Sequence, residues 1–148
     1  MHDQDSSDTF SIEPFTEANR AGLEQLWARV FPDDPPRNAP ALMIDNKLKV
    51  QPELLLVGSI GDRVVAAVIA GFDGTRGWIY HLAVAPEWRR RGFATQLMRT
   101  AELGLRKLGC PKVNLQVRAT NDAAVPFYRS LGYEIEERLS LGRALDVD

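Results

Sequence analysis

Three apolar stretches set close together, Leu54 to Ser59, Val64 to Gly71 and Trp78 to Val84, restrict the folds open to this chain more than any other feature. The first gap centres on Gly61-Asp62, a composition that closes a tight hairpin. The second is Asp73-Gly74-Thr75-Arg76-Gly77, again rich in turn formers. Parallel strands need a crossover of a dozen or more residues, so three strands joined this closely form an antiparallel meander. Pro86 ends the third.

The flanking segments complete an order. Phe10 to Phe15 alternates as a short first strand should. Thr16 is placed to cap a helix in which Leu23, Leu26, Trp27 and Val30 recur at helical spacing until Pro32 stops it. Asp33 to Pro40 reads as a proline-rich loop and Ala41 to Val50 as a second short helix. From Gly92 onward, Leu97, Met98, Ala101, Leu105 and Leu108 mark an amphipathic helix that Gly109 and Pro111 close. A strand over Val113 to Arg118, a helix from Asp122 to Leu131 capped by Gly132, and a closing strand in Tyr133 to Leu141 follow. The expected order, β-α-α-β-β-β-α-β-α-β, is an α+β fold with a mixed, mostly antiparallel sheet flanked by helices. It is not the alternating βαβ pattern of a doubly wound dinucleotide fold.

Composition narrows the function. A chain of 148 residues, 45% hydrophobic and 26% charged, suits one domain over 9–148, preceded by an acidic, polar and flexible tail at 1–8. Its only cysteine, Cys110, closes no internal disulfide, and no Cys/His cluster has metal-ligand spacing, so no metal is expected. A net charge of -2 argues against nucleic acid as the partner. No apolar run approaches the roughly 20 residues that span a bilayer. No membrane role and a cytoplasmic location are the expectations.

The stretch Arg89-Arg90-Arg91-Gly92-Phe93-Ala94-Thr95 runs off a strand into a helix. A diphosphate needs converging donors, and the unpaired N–H groups of a helix's first turn supply them at the positive end of its dipole. Gly92 accepts unusual backbone angles, Ala94 offers only a methyl, and three arginines favour an anion.

The stretch Trp78 to Tyr133 resembles the GNAT acetyltransferase superfamily. Arg89-Arg90-Arg91-Gly92-Phe93-Ala94 matches its Arg/Gln-x-x-Gly-x-Gly/Ala signature, and Leu82-Ala83-Val84-Ala85-Pro86 looks like its fourth strand. Asn121 to Tyr128 and Leu131-Gly132-Tyr133 look like its Asn-x-x-Ala-x-x-x-Tyr and Leu-Gly-Phe/Tyr elements. Within the family, Gly71 to Leu141 is most similar to small bacterial YpeA-type members, through the Gly-Cys-Pro-Lys and Ser-Leu-Gly stretches. The strong match covers half of the chain, and the first half agrees only in its order of elements.

The resemblance implies acetyl-CoA as cosubstrate. Backbone groups of Leu82 and Val84, with Ala83 between them, would pair with the pantetheine arm like an added strand. The N–H groups from Arg90 to Thr95, preceded by Arg89, would hold the pyrophosphate, and Asn121 would contact the pantetheine or thiol end. By its side chain alone, Asn121 equally suits a cap for the helix that follows.

Acetyl transfer to an amine needs a neutral nucleophile, a polarised thioester carbonyl and a proton for the departing thiolate. Tyr128, at the family's matching position, is the candidate acid, and the Leu82 N–H is the candidate oxyanion donor. The base is less marked. Relatives that acetylate protein N-termini often carry a glutamate on the fifth strand where this chain has Gln116, which takes no proton. His81 has suitable chemistry, yet strand alternation turns it opposite to Tyr80 and Leu82. Tyr80 or a base acting through water stands beside it.

A CoA- or acyl-CoA-binding sensor that has lost catalysis is the competing reading, motivated by Gln116. The acceptor is an amine-bearing small molecule or protein, which Asp33, Asp34 or Asp45 would attract if it is cationic. Strand edges in such folds often pair, which leaves a homodimer open.

Overall fold

Six consecutive side chains, Val65 to Ala70, are buried, which a strand achieves only when both faces are covered. In the computed structural model, which describes residues 9–145, these side chains belong to the central strand of a five-stranded sheet. The tail expected at 1–8 lies outside the described residues. The strands are β1 (Phe10–Pro14), β2 (Leu55–Ile60), β3 (Arg63–Phe72), β4 (Gly77–Val84) and β5 (Val113–Leu115), ordered in space as in sequence. The first four are antiparallel to their neighbours and β5 joins β4 in parallel, so the mixed α+β sheet and its meander form as expected.

The chain divides between Leu115 and Gln116 into two compact units. In the first, α1 (Arg20–Val30) and α2 (Pro40–Lys47) cover one face, where Leu23, Leu26, Trp27 and Ile44 meet Leu55, Val57, Ala67, Ile69 and Ala83. The alternate residues of the same strands turn to α3 (Phe93–Lys107), which buries Phe93, Leu97, Met98, Ala101 and Leu105. The α2 helix starts one residue earlier than expected, at Pro40, because a proline fits the first helical turn where no N–H is required. It ends at Lys47, whose ammonium donates to the Ala70 carbonyl at 2.6 Å.

Two sequence cues are realised as turns. Gly61 takes φ 59° between β2 and β3. The Asp73 carboxylate accepts from the Thr75 and Arg76 N–H groups at 2.8 Å each, and these backbone bonds hold its pKa below the usual carboxylate range.

The second unit contains a 3-10 segment, Ala119–Ala124, and a short helix α4, Val125–Ser130. The helix expected over Asp122 to Leu131 is therefore shorter. Pro126 has no N–H to donate back toward Asp122, so regular α pairing cannot run through it. Gly132, at φ 101°, does terminate the helix. The closing strand expected over Tyr133–Leu141 does not form: among the described residues this segment joins no ladder, and Ile135, Leu139 and Leu141 are exposed. Its alternating apolar pattern has no partner strand to satisfy. No described helix is long and apolar enough to cross a membrane.

Close packing around β4 yields a test. A Cβ added to Gly77 would lie 2.7 Å from Cys110 Sγ and 3.2 Å from Leu105 Cδ1. Gly77→Ala is expected to lower stability by about 1–3 kcal/mol in urea unfolding, as overpacked sites do. Adding Cys110→Ala should restore part of the loss; an unchanged midpoint in the single variant would contradict this packing.

Candidate active site

The site begins with one extra residue. Ala67 pairs with Ala83 and Ile69 with Tyr80, so two residues of β4, His81 and Leu82, stand opposite Val68 alone. This is a β-bulge, and it puts His81 in the left-handed region at φ 51°. Simple alternation fails here, and His81 packs beside Trp27 and Phe31 on the side of the sheet that α1 covers. The His81 Nε2 lies 2.8 Å from Asp34 Oδ2, with the two side chains only 15% and 10% exposed. Its ring stands edge-on to Phe31, with centroids 4.6 Å apart, and to Trp27 at 5.6 Å. Phe31 and Asp34 also line an open cleft of about 280 Å³ with Pro32, Pro36 and Pro40.

Beyond the bulge, the edge of β4 away from β3 pairs with no strand among the described residues. Its parallel ladder with β5 stops at Ile79 and Leu115, short of the strand expected to run to Arg118. The Ala85 N–H donates to the Val65 carbonyl at 2.8 Å, so alternation turns the backbone polar groups of Val84 to the edge away from β3, with Leu82 in the bulge just before it. Ala83 points the other way, with its backbone in register with Ala67 and its methyl in the core. The Val84 carbonyl accepts the Arg89 Nε at 2.9 Å.

The following turn is a cradle of N–H groups. After the 3-10 turn Pro86–Trp88, Arg90 takes φ 64° and Gly92 φ 81°, one on each side of Arg91. Left-handed residues in such a run curl successive N–H groups into a concave nest. The first N–H to find a backbone acceptor is that of Gln96, which donates to the Gly92 carbonyl at 3.1 Å. Those of Arg90 to Thr95 have none among the described residues. No atom lies within 4 Å of where a Gly92 Cβ would sit.

The arginines divide their work. Arg91 stacks its guanidinium over Trp88, 4.8 Å from the ring centroid, and Arg63 approaches the same ring at 5.5 Å. With Arg89 on the Val84 carbonyl, only Arg90 of the three lacks a side-chain partner among the described residues. The Phe93 ring is buried and stacks on Phe10, centroids 3.8 Å apart, which ties the start of α3 to the sheet.

Asn121, Tyr128 and Gln116 belong to the second unit. Asn121 has non-helical angles, φ -119° and ψ 42°, at a kink that joins two helical pieces within Ala119–Ala124. Tyr128 sits in α4 with its ring edge-on to Phe127 and Tyr133. Burial raises its phenol above the ordinary value. Gln116 donates its amide to the Ser140 hydroxyl at 2.6 Å. Tyr80 is half-exposed, with a pKa raised chiefly by desolvation and further by Asp73. Of the three aspartates expected to attract an amine, Asp45 is occupied by Arg20 at 2.9 Å. Sequence reasoning did not connect Asp34 with His81, since nothing local joins residues 47 apart.

Known proteins share this fold. Residues 20–133 match the model of the acetyltransferase (GNAT) family. An acetyltransferase of Yersinia pestis (strain Pestoides F) is 43% identical over 113 residues, covering 76% of this chain and 80% of the relative. A similar protein of Pectobacterium atrosepticum is 41% identical over the same shares. Among solved structures, Ard1 from Thermoplasma volcanium superposes with a TM-score of 0.75 at 25% identity, covering 86% of this chain and 84% of that one. AAC(6')-Iy bound to a CoA bisubstrate analogue gives 0.78 at 17% identity, covering 92% and 98%. Family match, relatives and fold together place this chain in the GNAT family, as an N-acetyltransferase of that type.

Proposed function

We propose that the protein transfers the acetyl group of acetyl-CoA to a primary amine by direct attack, with donor and acceptor bound together. The observation that carries this reading is the run of N–H groups from Arg90 to Thr95 at the start of α3, next to the free edge of β4. A pyrophosphate fits such a cradle through main-chain donors and the helix dipole. Leu82 and Val84 are turned to accept a pantetheine arm as an added strand. Arg89 already occupies the Val84 carbonyl, which leaves the N–H groups and the Leu82 carbonyl for that pairing.

The chemistry assigns one task to each group. The amine nitrogen attacks the thioester carbon, a C–N bond forms and the C–S bond breaks. The Leu82 N–H stabilises charge growing on the carbonyl oxygen. His81 takes the proton that the amine loses, and Tyr128 donates its hydroxyl proton to the leaving sulfur. Asn121 contacts the pantetheine end. A phenol with a raised pKa suits the acid role, because it holds its proton up to at least the ordinary phenol value of about 10. Relatives' structures include an aminoglycoside acetyltransferase with CoA, which supports an amine acceptor without naming this one.

Three outcomes follow. Coenzyme A and acetyl-CoA should bind in calorimetry; no heat at high micromolar concentration would end the proposal. Gly92→Val should weaken that binding more than tenfold, since a β-branched residue in the left-handed region costs about 1–2 kcal/mol and fills the open space over the nest. Arg90→Ala should weaken it less than about tenfold, because the main chain carries the recognition.

Tyr128→Phe should cut kcat by about 10²–10⁴-fold in a thiol-release assay while CoA affinity holds. The raised pKa puts the loss of this proton above about pH 10, the ordinary phenol value. A rate that declines with pH in wild type below that value should therefore decline equally in the variant.

A further inference from the structure

The contact between the bulge and the loop after α1 does more than pack two elements. A carboxylate oxygen accepts and does not donate, so the His81 Nε2, 2.8 Å from Asp34 Oδ2, is the donor of that bond. In a neutral ring this places the lone pair on Nδ1, which has no hydrogen-bond partner among the described residues. We propose that Asp34 is a positioning residue for acetyl transfer, fixing His81 as the Nε2–H tautomer so that Nδ1 is the atom that receives the amine's proton. The proposal rests on His81 being the base.

The surroundings leave Asp34 the deciding group. The backbone of His81 is set by the bulge, at φ 51°, and Phe31 and Trp27 hold the ring edge-on. What those walls leave open is which nitrogen carries the proton, and only a polar partner decides that. Asp34 itself is held by a stiff loop. Pro32 and Pro35 have fixed φ, a 3-10 turn follows at Pro36–Asn38, and the Asp34 N–H donates to the Phe31 carbonyl at 3.3 Å. Phe31 and Asp34 also line the open cleft, so Asp34 stands between that cleft and His81.

Replacing the carboxylate by an amide reverses the logic. In Asp34→Asn the new side chain can turn its NH₂ toward Nε2, which protonates Nδ1 and removes the lone pair that the base needs. In His-carboxylate catalytic pairs this tautomer change costs about 10⁴-fold in kcat. The chain has two histidines, His2 and His81, so ¹⁵N-histidine spectra of the full protein are simple to assign with His81→Gln as reference.

Recorded with the imidazole neutral, wild type should show His81 as Nε2–H, and Asp34→Asn should move it largely to Nδ1–H. With acetyl-CoA and a panel of phenethylamine, spermidine and a free-N-terminus peptide, Asp34→Asn should lower kcat by about 100-fold or more with KM for acetyl-CoA unchanged. Asp34→Glu should recover part of it. Wild type as Nδ1–H, or the same tautomer and rate in Asp34→Asn, would overturn the proposal. So would parallel loss of kcat and CoA affinity in both Asp34 variants, which would mark Asp34 as structural only. If His81→Gln kills thiol release and Asp34→Asn spares it, the positioning role fails while the base stands. If His81→Gln leaves release intact, the base assignment and the positioning role fall together.

Discussion

The bulge at His81 and Leu82 sets most of what lies around it. Two residues opposite Val68 bend β4 just past the end of its ladder with β5 at Ile79, next to the stretch in which Leu82 and Val84 lie. The same step holds His81 in a left-handed conformation that costs a non-glycine residue about 1–2 kcal/mol. Strain of that kind persists where surrounding contacts over-determine it, and here the Asp34 hydrogen bond and the faces of Trp27 and Phe31 do so. One local irregularity thus sits beside the unpaired stretch of β4 and orients the His81 side chain.

A second constraint fixes the helix that carries the anion cradle. The aromatic stack of Phe10 on Phe93, with Trp88 beyond it, clamps the first turn of α3 to β1 and to the turn before it. Gly58 makes room for this: a Cβ there would lie 2.5 Å from the Phe10 ring. Around that clamp, Arg89 and Arg91 shape the turn, one through a carbonyl and one through an indole face. Charge is therefore a smaller part of the cradle than three consecutive arginines suggest, and the main chain is the larger part.

Much was legible because it was written in short-range patterns. Gly61-Asp62 placed the hairpin, Pro32 stopped α1, Gly132 ended α4, and the apolar spacing from Leu97 to Leu105 marked the buried face of α3. The departures have equally local causes in two cases, since Pro40 starts α2 and Pro126 interrupts the last helix. They are non-local in two others. The ladder of β5 stops at Leu115, and Tyr133 to Leu141 has the alternation of a strand but joins no ladder among the described residues. A period of two states which side chains share a face, and the partner decides whether a sheet forms.

The sequence by itself determined the α+β class, the meander, the strand-turn-helix around Gly92 and the family, because these rest on spacing, turn chemistry and small residues within reach of one another. It also supplied the candidates Tyr128, Asn121 and His81 as residue types. Tertiary structure alone decided the bulge, the free edge of β4, the division of labour among the arginines and the meeting of His81 with Asp34. Each of these depends on where two distant segments pack, and a hydrogen bond across 47 residues is chosen by the shape of the whole core.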